Sequence, residues 1–416
     1  MTSPTERPAA AETRIALVGA LDTKGQEYRF LREEVERLGR RAVLVDIGVL
    51  GDPTVEADIC RESVATRGGS AIDELRAAGE RGPAMRAMSA GAVAHLGDLA
   101  ADGSIGGVLA VGGSNAAYIM ARISEALPTG FPKVLVSTMA SGDTRPYVGS
   151  TDLTMMNPIA DINGINRVTR PILRNAVAAV VGMATAPGEV GTEDAPVVAV
   201  SMFGVTTACA TEITQRLQGW VEPLSFHANG AGGQALEALV RAGRIQAVAD
   251  MSTTELADEL FGGVCSAGPD RLTAAGELGI PQVVSLGALD MVNFGARATV
   301  PTHLEGRLFY EHNPEVTLMR TNAQECALLG ALLAERLNAA RGPRAVVIPT
   351  GGFSMISVPG APFHDPDADA ALIESLQARL SPDVHVTVLD ADINDPSVAE
   401  EISTFTMSLM KKGRHD

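Results

Sequence analysis

Residues 134–170, VLVSTMASGDTRPYVGSTDLTMMNPIADINGINRVTR, concentrate the side chains suited to holding a polyanion. The aliphatic run Val134-Leu135-Val136 reads as a buried strand. It empties into Ser137, Thr138, Ser141, Gly142, Asp143 and Thr144, closed by Pro146, Tyr147 and Gly149. Hydroxyls and free backbone N–H groups at the end of a parallel strand are how open α/β sheets hold ligands. Two earlier runs end in the same way. Arg14–Leu21 (RIALVGAL) ends at Asp22-Thr23-Lys24-Gly25, which offers a cation for phosphate, a hydroxyl, and a carboxylate for a ribose or a magnesium-bound water. The simpler reading is a helix start with a solvated lysine. Gly106–Val111 (GGVLAV) ends at Gly112-Gly113-Ser114-Asn115, where glycine admits a ligand to the backbone and a helix N-terminus favours phosphate. A plain strand-to-helix turn, capped by Ser114 or Asn115, has the same sequence.

Acid–base chemistry belongs to the second half. His227 follows the strand-like Val221–Phe226 and precedes Ala228-Asn229-Gly230-Ala231-Gly232-Gly233, a candidate oxyanion or phosphate cradle. Imidazole moves protons near neutrality, so His227 is the candidate general acid/base, with Asp250 or Glu255 to orient it. Beside Ser252-Thr253-Thr254, those two carboxylates are equally suited to capping a helix. No two His or Cys residues stand at zinc-ligand spacing, and Cys265 as nucleophile would need a base from elsewhere in the fold.

The elements that must position these groups alternate strand and helix. After the first strand, Tyr28, Leu31, Val35 and Leu38 recur at helical spacing, with Gly39 where a C-cap belongs. Ala42–Ile47 is the second strand and holds Asp46, the acidic position of dinucleotide folds. The turn G-A-L-D-T-K-G between them is neither G-x-G-x-x-G nor G-x-x-x-x-G-K-[ST], which disfavours a standard NAD site and a standard P-loop. Gly51–Gly69 reads as irregular, two helices fit between Ser70 and Ala101, and a helix-compatible segment runs from Pro158 to about Ala184. Thr185–Pro196 (TAPGEVGTEDAP) reads as a linker. Beyond it come strands at Val197–Met202, Ile245–Ala249, Val283–Leu286, Ala345–Ile348 and Val384–Leu389, a helix over Asn322–Ala340, and a polar mouth at Gly287–Gly295. The pattern predicts an α/β protein of two Rossmann-like, doubly wound subdomains with a cleft between them. The division is a disordered tail at 1–12, domains at 13–184 and 197–416, and a linker at 185–196.

Length agrees, since 416 residues exceed the usual single core. A formal charge of −17 argues against nucleic acid as a partner, because phosphate backbones need a basic surface. No apolar run reaches a membrane span and no signal-peptide core is present. Cys60, Cys209, Cys265 and Cys326 lie far apart, as free thiols of a reducing cytoplasm do.

Many blocks together carry a family resemblance: GALDTKGQE at 19–27, STMASGDTRPYVGSTDL at 137–153, NGINRVTR at 163–170, FHANGAGG at 226–233, MSTTELADELFGG at 251–263, SAGPDRL at 266–272, LDMVNFG at 289–295 and HNPEVTLMRTNAQE at 312–325. From about residue 13 to about residue 400 the chain resembles the family of the ATP-binding domain of the tomato mosaic virus resistance protein. The resemblance implies two Rossmann-like subdomains, ATP with Mg2+ in the first, and a homodimer. Carried over residue by residue, it points to Asp22, Thr23, Lys24, Gly112, Gly113, Ser114, Asn115, Thr138, Ser141, Gly142, Asp143 and Tyr147 as ATP contacts. Asn229 and Ser252 stand where threonine is expected. Three functions fit: an ATP-binding enzyme acting on a small metabolite at the cleft, with His227, Asp250 and Glu255 catalytic; a non-catalytic, nucleotide-regulated binding or scaffold protein; and a sugar-nucleotide enzyme of the two-domain glycosyltransferase or epimerase type.

Overall fold

The computed structural model describes residues 13–186 and 195–412. The tail at 1–12 and residues 187–194 of the expected linker lie outside the described residues. The described residues form two compact units, 13–186 and 195–412, and each is an α/β domain of Rossmann-like build.

In the first unit the order is β1 (Arg14–Gly19), α1 (Leu21–Arg37), β2 (Ala42–Asp46), α2 (Arg61–Arg67), α3 (Ile72–Ala78), α4 (Arg81–Ala101), β3 (Ile105–Val111), α5 (Ser114–Ala126), β4 (Lys133–Val136), the short α6 (Arg145–Val148), β5 (Thr154–Met156) and α7 (Thr169–Thr185). The five strands pair in the order β2-β1-β3-β4-β5, all parallel. Strand residues alternate between two buried layers, as a sheet covered on both faces requires. Ala16 and Val18 pack with α4 and α5, whereas Ile15 and Leu17 pack with α1 and α7.

The second unit repeats this plan. It runs β6 (Val197–Met202), α8 (Thr207–Leu217), β7 (Glu222–His227), α9 (Ala231–Arg241), β8 (Ala247–Ser252), α10 (Glu255–Phe261), α11 (Ala274–Leu278), β9 (Gln282–Gly287), β10 (Met291–Phe294), β11 (Phe309–Asn313), β12 (Val316–Arg320), α12 (Ala323–Ala339), β13 (Arg344–Pro349), α13 (Pro366–Gln377), β14 (His385–Leu389) and α14 (Pro396–Lys412). Its parallel sheet has the order β14-β13-β9-β8-β6-β7. A separate antiparallel sheet, β10-β12-β11, is inserted after β9.

Three expectations are corrected. The helix expected from Pro158 begins only at Thr169, because asparagines hold turns first: Asn157 accepts from the Ile159 N–H, and Asn166 from the Val168 and Thr169 N–H groups. The 51–69 segment is not irregular throughout, since α2 lies within it. The supposed polar mouth at 287–295 is mostly interior, because Met291, Val292 and Phe294 pack into the apolar clusters around β12.

Where β1 and β3 part, one side chain stands between them. The Tyr28 hydroxyl accepts from the Val111 N–H at 2.8 Å and reaches the carbonyl oxygens of Val18 and Val111. A side chain on Gly19 would collide with the Tyr28 ring, so glycine is required there. Tyr28→Phe should therefore destabilise the first domain by about 1–3 kcal/mol, since a buried N–H loses its acceptor. Gly19→Ala should cost more, and urea unfolding of both variants against wild type measures the difference.

Candidate functional site

A cavity of 580 Å³ opens at the ends of β2, β1 and β3. The strand order reverses direction between β1 and β3, and that reversal is where doubly wound sheets bind ligands. The first turn of α1 contributes Asp22, Thr23 and Lys24, and the β3–α5 junction contributes Gly112, Gly113, Ser114 and Asn115. The segment after β2 adds Ile47, Gly48, Val49 and Leu50, and the α3–α4 junction adds Leu75, Arg81 and Met85. One end is thus polar and the other largely apolar.

Local structure explains the polar end. Gly113 is the N-cap of α5, no side chain caps the helix, and its first turn carries no acid. The N–H groups of that turn and the positive end of the helix dipole are left for an anion. A Cβ on Gly113 would meet nothing within 4 Å, so that residue borders open space. Lys24 sits at a kink in α1 and donates from Nζ to the Ile162 carbonyl. Thr23 returns its hydroxyl to the Ala20 carbonyl at 3.4 Å.

Thr138, Ser141, Gly142, Asp143 and Tyr147 are not among the walls of this cavity. Their loop follows β4, one strand beyond the reversal, and is occupied with itself. Ser141 donates to the Thr138 carbonyl at 2.8 Å, Asp143 pairs with Arg145 at 2.8 Å, and Tyr147 packs against the core beside α5. That pairing holds the exposed Asp143 carboxyl below its ordinary range, through hydrogen bonds from the Arg145 side chain and backbone.

Asp46 is likewise committed. Its Oδ1 accepts from the Leu21 and Gly48 N–H groups and its Oδ2 from Arg61 Nε at 2.7 Å, all within the protein. Arg61, which no sequence pattern marked, is 1% exposed and also donates to the Gly51 carbonyl.

In the second domain the two expected carboxylates share one buried partner. Arg271, 1% exposed, donates to both oxygens of Asp250 (2.5 and 2.7 Å) and to Glu255 Oε2 (2.6 Å). Glu237 joins from 3.3 Å and caps α11 through the Leu272 and Ala274 N–H groups. Glu255 Oε1 accepts from the Gly230 and Gly233 N–H groups, at 2.8 and 3.0 Å. The presumed phosphate cradle is therefore filled by the protein's own carboxylate. Its glycines follow from that fit: a side chain on Gly233 would collide with the Glu255 carboxylate, one on Gly232 with the His227 carbonyl, and Gly230 has φ +92. One buried guanidinium thus holds both Asp250 and Glu255. His227 is exposed on the edge strand and stacks on Phe203 at 5.4 Å between ring centroids.

Comparison with known proteins fits this architecture. The model described as "Uncharacterised protein family (UPF0261) N-terminal domain" matches residues 13–189, and its C-terminal counterpart matches residues 195–410. The chain belongs to the UPF0261 family. A UPF0261 protein of Clostridium tetani is 41% identical over 96% of this chain and 99% of its own length. One from Rhizobium meliloti is 44% identical over 93% of this chain and 96% of its own. The ToMV resistance protein Tm-1 of Solanum lycopersicum is 37% identical over 97% of this chain but only 56% of that protein. The family resemblance carried by the sequence blocks is thereby established.

Two measurements test the electrostatics of this UPF0261 chain. Arg271→Met should destabilise the second domain by about 3–5 kcal/mol, as expected when buried carboxylates lose the cation that pairs them, and chemical denaturation reads this directly. Asp258, buried among N–H donors from Asn293 and Cys265, has its carboxyl pushed up to about 7 by burial, against the hydrogen bonds that favour its charge. A folded value above the unfolded one means that this group's contribution is complete in acid and is lost as pH rises to about 7. The stability difference between wild type and Asp258→Asn should accordingly move against wild type between about pH 4 and 7 and level off above. Thermal melts across that range follow it.

Proposed function

We propose that the N-terminal domain binds a nucleotide, ATP with Mg2+, in the cavity at the ends of β1, β2 and β3. The observation that carries this reading is the cavity itself, with an uncapped N-terminus of a 13-residue helix at one end and an apolar arm at the other. Its 580 Å³ falls in the range of small-molecule and cofactor sites, about 300–1,000 Å³. Phosphates belong at Gly112–Asn115 and beside Lys24; the base belongs against Ile47, Val49, Leu75 and Met85. The loop from Thr138 to Tyr147 stands outside this reading. Among the described residues no group of three or more His, Cys, Asp or Glu side chains is disposed to hold a metal ion. Mg2+ is therefore proposed as the companion of the triphosphate, keeping phosphate and water as its ligands.

One observation favours a nucleotide-regulated binding protein over a metabolite enzyme: Asp250 and Glu255 are held by Arg271, leaving His227 without the carboxylate partners that acid–base catalysis would ask of them. Homodimerisation and a cytoplasmic setting belong to the same proposal. They are supported by the family resemblance and by four free cysteines. No helix among the described residues is long and apolar enough to cross a membrane.

Saturating MgATP, at 100 times its dissociation constant, should stabilise the protein by about 2.7 kcal/mol, and UDP-sugars should not. Gly113→Ala, whose added methyl enters open space, should lower the ligand-free melting temperature only slightly, through the poorer N-cap, yet weaken MgATP at least about tenfold. Thermal-shift titration of both proteins provides the answer. No response of wild type to MgATP would sink the nucleotide assignment.

A further inference from the structure

We infer that Asp22 and Arg61 together read a ribose hydroxyl of the bound nucleotide, an inference that rests on the nucleotide reading above. In dinucleotide folds the ribose is held by an acidic residue near the end of the second strand. Here that position is Asp46, and its two oxygens already take the Leu21 and Gly48 N–H groups and Arg61 Nε. The neighbouring carboxylate is different. Asp22 Oδ2 accepts from the Gly51 N–H at 3.1 Å, while its Oδ1 is buried without a hydrogen-bond partner among the described residues. Arg61 uses Nε and Nη1 and leaves Nη2 equally buried and unpartnered. The two side chains are 5% and 2% exposed.

These orphaned atoms converge. A Cβ built on Gly48 would stand 2.8 Å from both Asp22 Oδ1 and Arg61 Nη2. Gly48 and Asp22 are walls of the cavity, on its β2 side, between the apolar arm and the turn after β3. Arg61 lies behind these walls, and glycine is required at 48 because a side chain there would collide with both atoms. The chemistry of the pair selects its ligand. A divalent cation is repelled by the guanidinium, and a phosphate by the carboxylate. A hydroxyl satisfies both at once, donating to Asp22 and accepting from Arg61. It would lie between the base and the phosphates, where the sugar of a nucleotide must be. A missing hydroxyl would leave a buried donor and acceptor unpaired, the situation that gives hydrogen-bonding sites their strongest discrimination.

Isothermal titration of the full chain with MgATP, its 2′-deoxy and 3′-deoxy analogues, and magnesium tripolyphosphate decides the matter. One deoxy analogue should bind about 10- to 100-fold more weakly than ATP. Asp22→Asn should bring that ratio to within about threefold by weakening the charge-assisted bond. If wild type binds ATP and both deoxy analogues within about twofold of one another, the inference is overturned while the nucleotide reading survives; a trapped water between Asp22 and Arg61 would give this result. If none of the nucleotides binds, both fall together. The comparison on wild type stands by itself should Asp22→Asn fail to fold.

Discussion

The first domain depends on a hydroxyl placed where two parallel strands stop pairing. Tyr28 takes the Val111 N–H that the ladder no longer uses, and it fills the space left by the absent side chain of Gly19. The reversal between β1 and β3 thereby opens without leaving a backbone donor stranded in the interior. Asp46 and Arg61 do the same on the β2 side, binding the first residue of α1 to the segment around Gly48 and Gly51. A cavity bordered by backbone is stable only if such groups are satisfied from behind. The turns that face it are then free to meet a ligand.

The second domain has the same strand order about its own reversal but makes the opposite use of its glycine-rich turn. There the amides close on Glu255, whose other oxygen joins Asp250 and Glu237 around Arg271. Burial works against the negative charge, and the Glu255 carboxyl is raised above its ordinary value although Arg271 opposes the shift. The cluster fixes where α9, β8, α10 and the 265–273 segment meet. Ser252, one of the two family departures, is equally internal: its hydroxyl lies 2.6 Å from that of Thr206, joining the turns after β6 and β8.

Periodicity made the fold legible. Apolar runs such as Arg14–Gly19, Ile105–Val111 and Val197–Met202 have few alternatives to buried parallel strands, and Asn322-Ala323-Gln324-Glu325 starts α12 with reciprocal capping bonds. The turns at 22–24 and 112–115 were legible because they follow such strands directly. Less could be read where partners lie far apart in the chain. Arg61 and Arg271 look like surface arginines until Asp46 and Asp250 are folded onto them. A glycine-rich turn has the same spelling whether it receives a phosphate or an internal carboxylate, so His227-Ala228-Asn229-Gly230 could not announce Glu255. The 138–147 loop is polar and follows a strand, but polarity cannot say that Ser141 and Asp143 find their partners inside the loop. The apolar arm at 47–50 and 75–85 carries no sequence signal of its own, because its residues pass for ordinary core.

The carboxylate seated at the start of α9 also limits what that helix can sense. Glu255 is tethered to its amides by the chain, so it competes with dissolved anions at the high local concentration that linkage confers. Ordinary swings in solute levels will not displace it, and the turn is in effect permanently saturated. No side chain caps the start of α5, and its first turn carries no acid. Of two similar folds in one chain, one therefore has its glycine-rich turn closed from within, and the proposed nucleotide reading falls to the other.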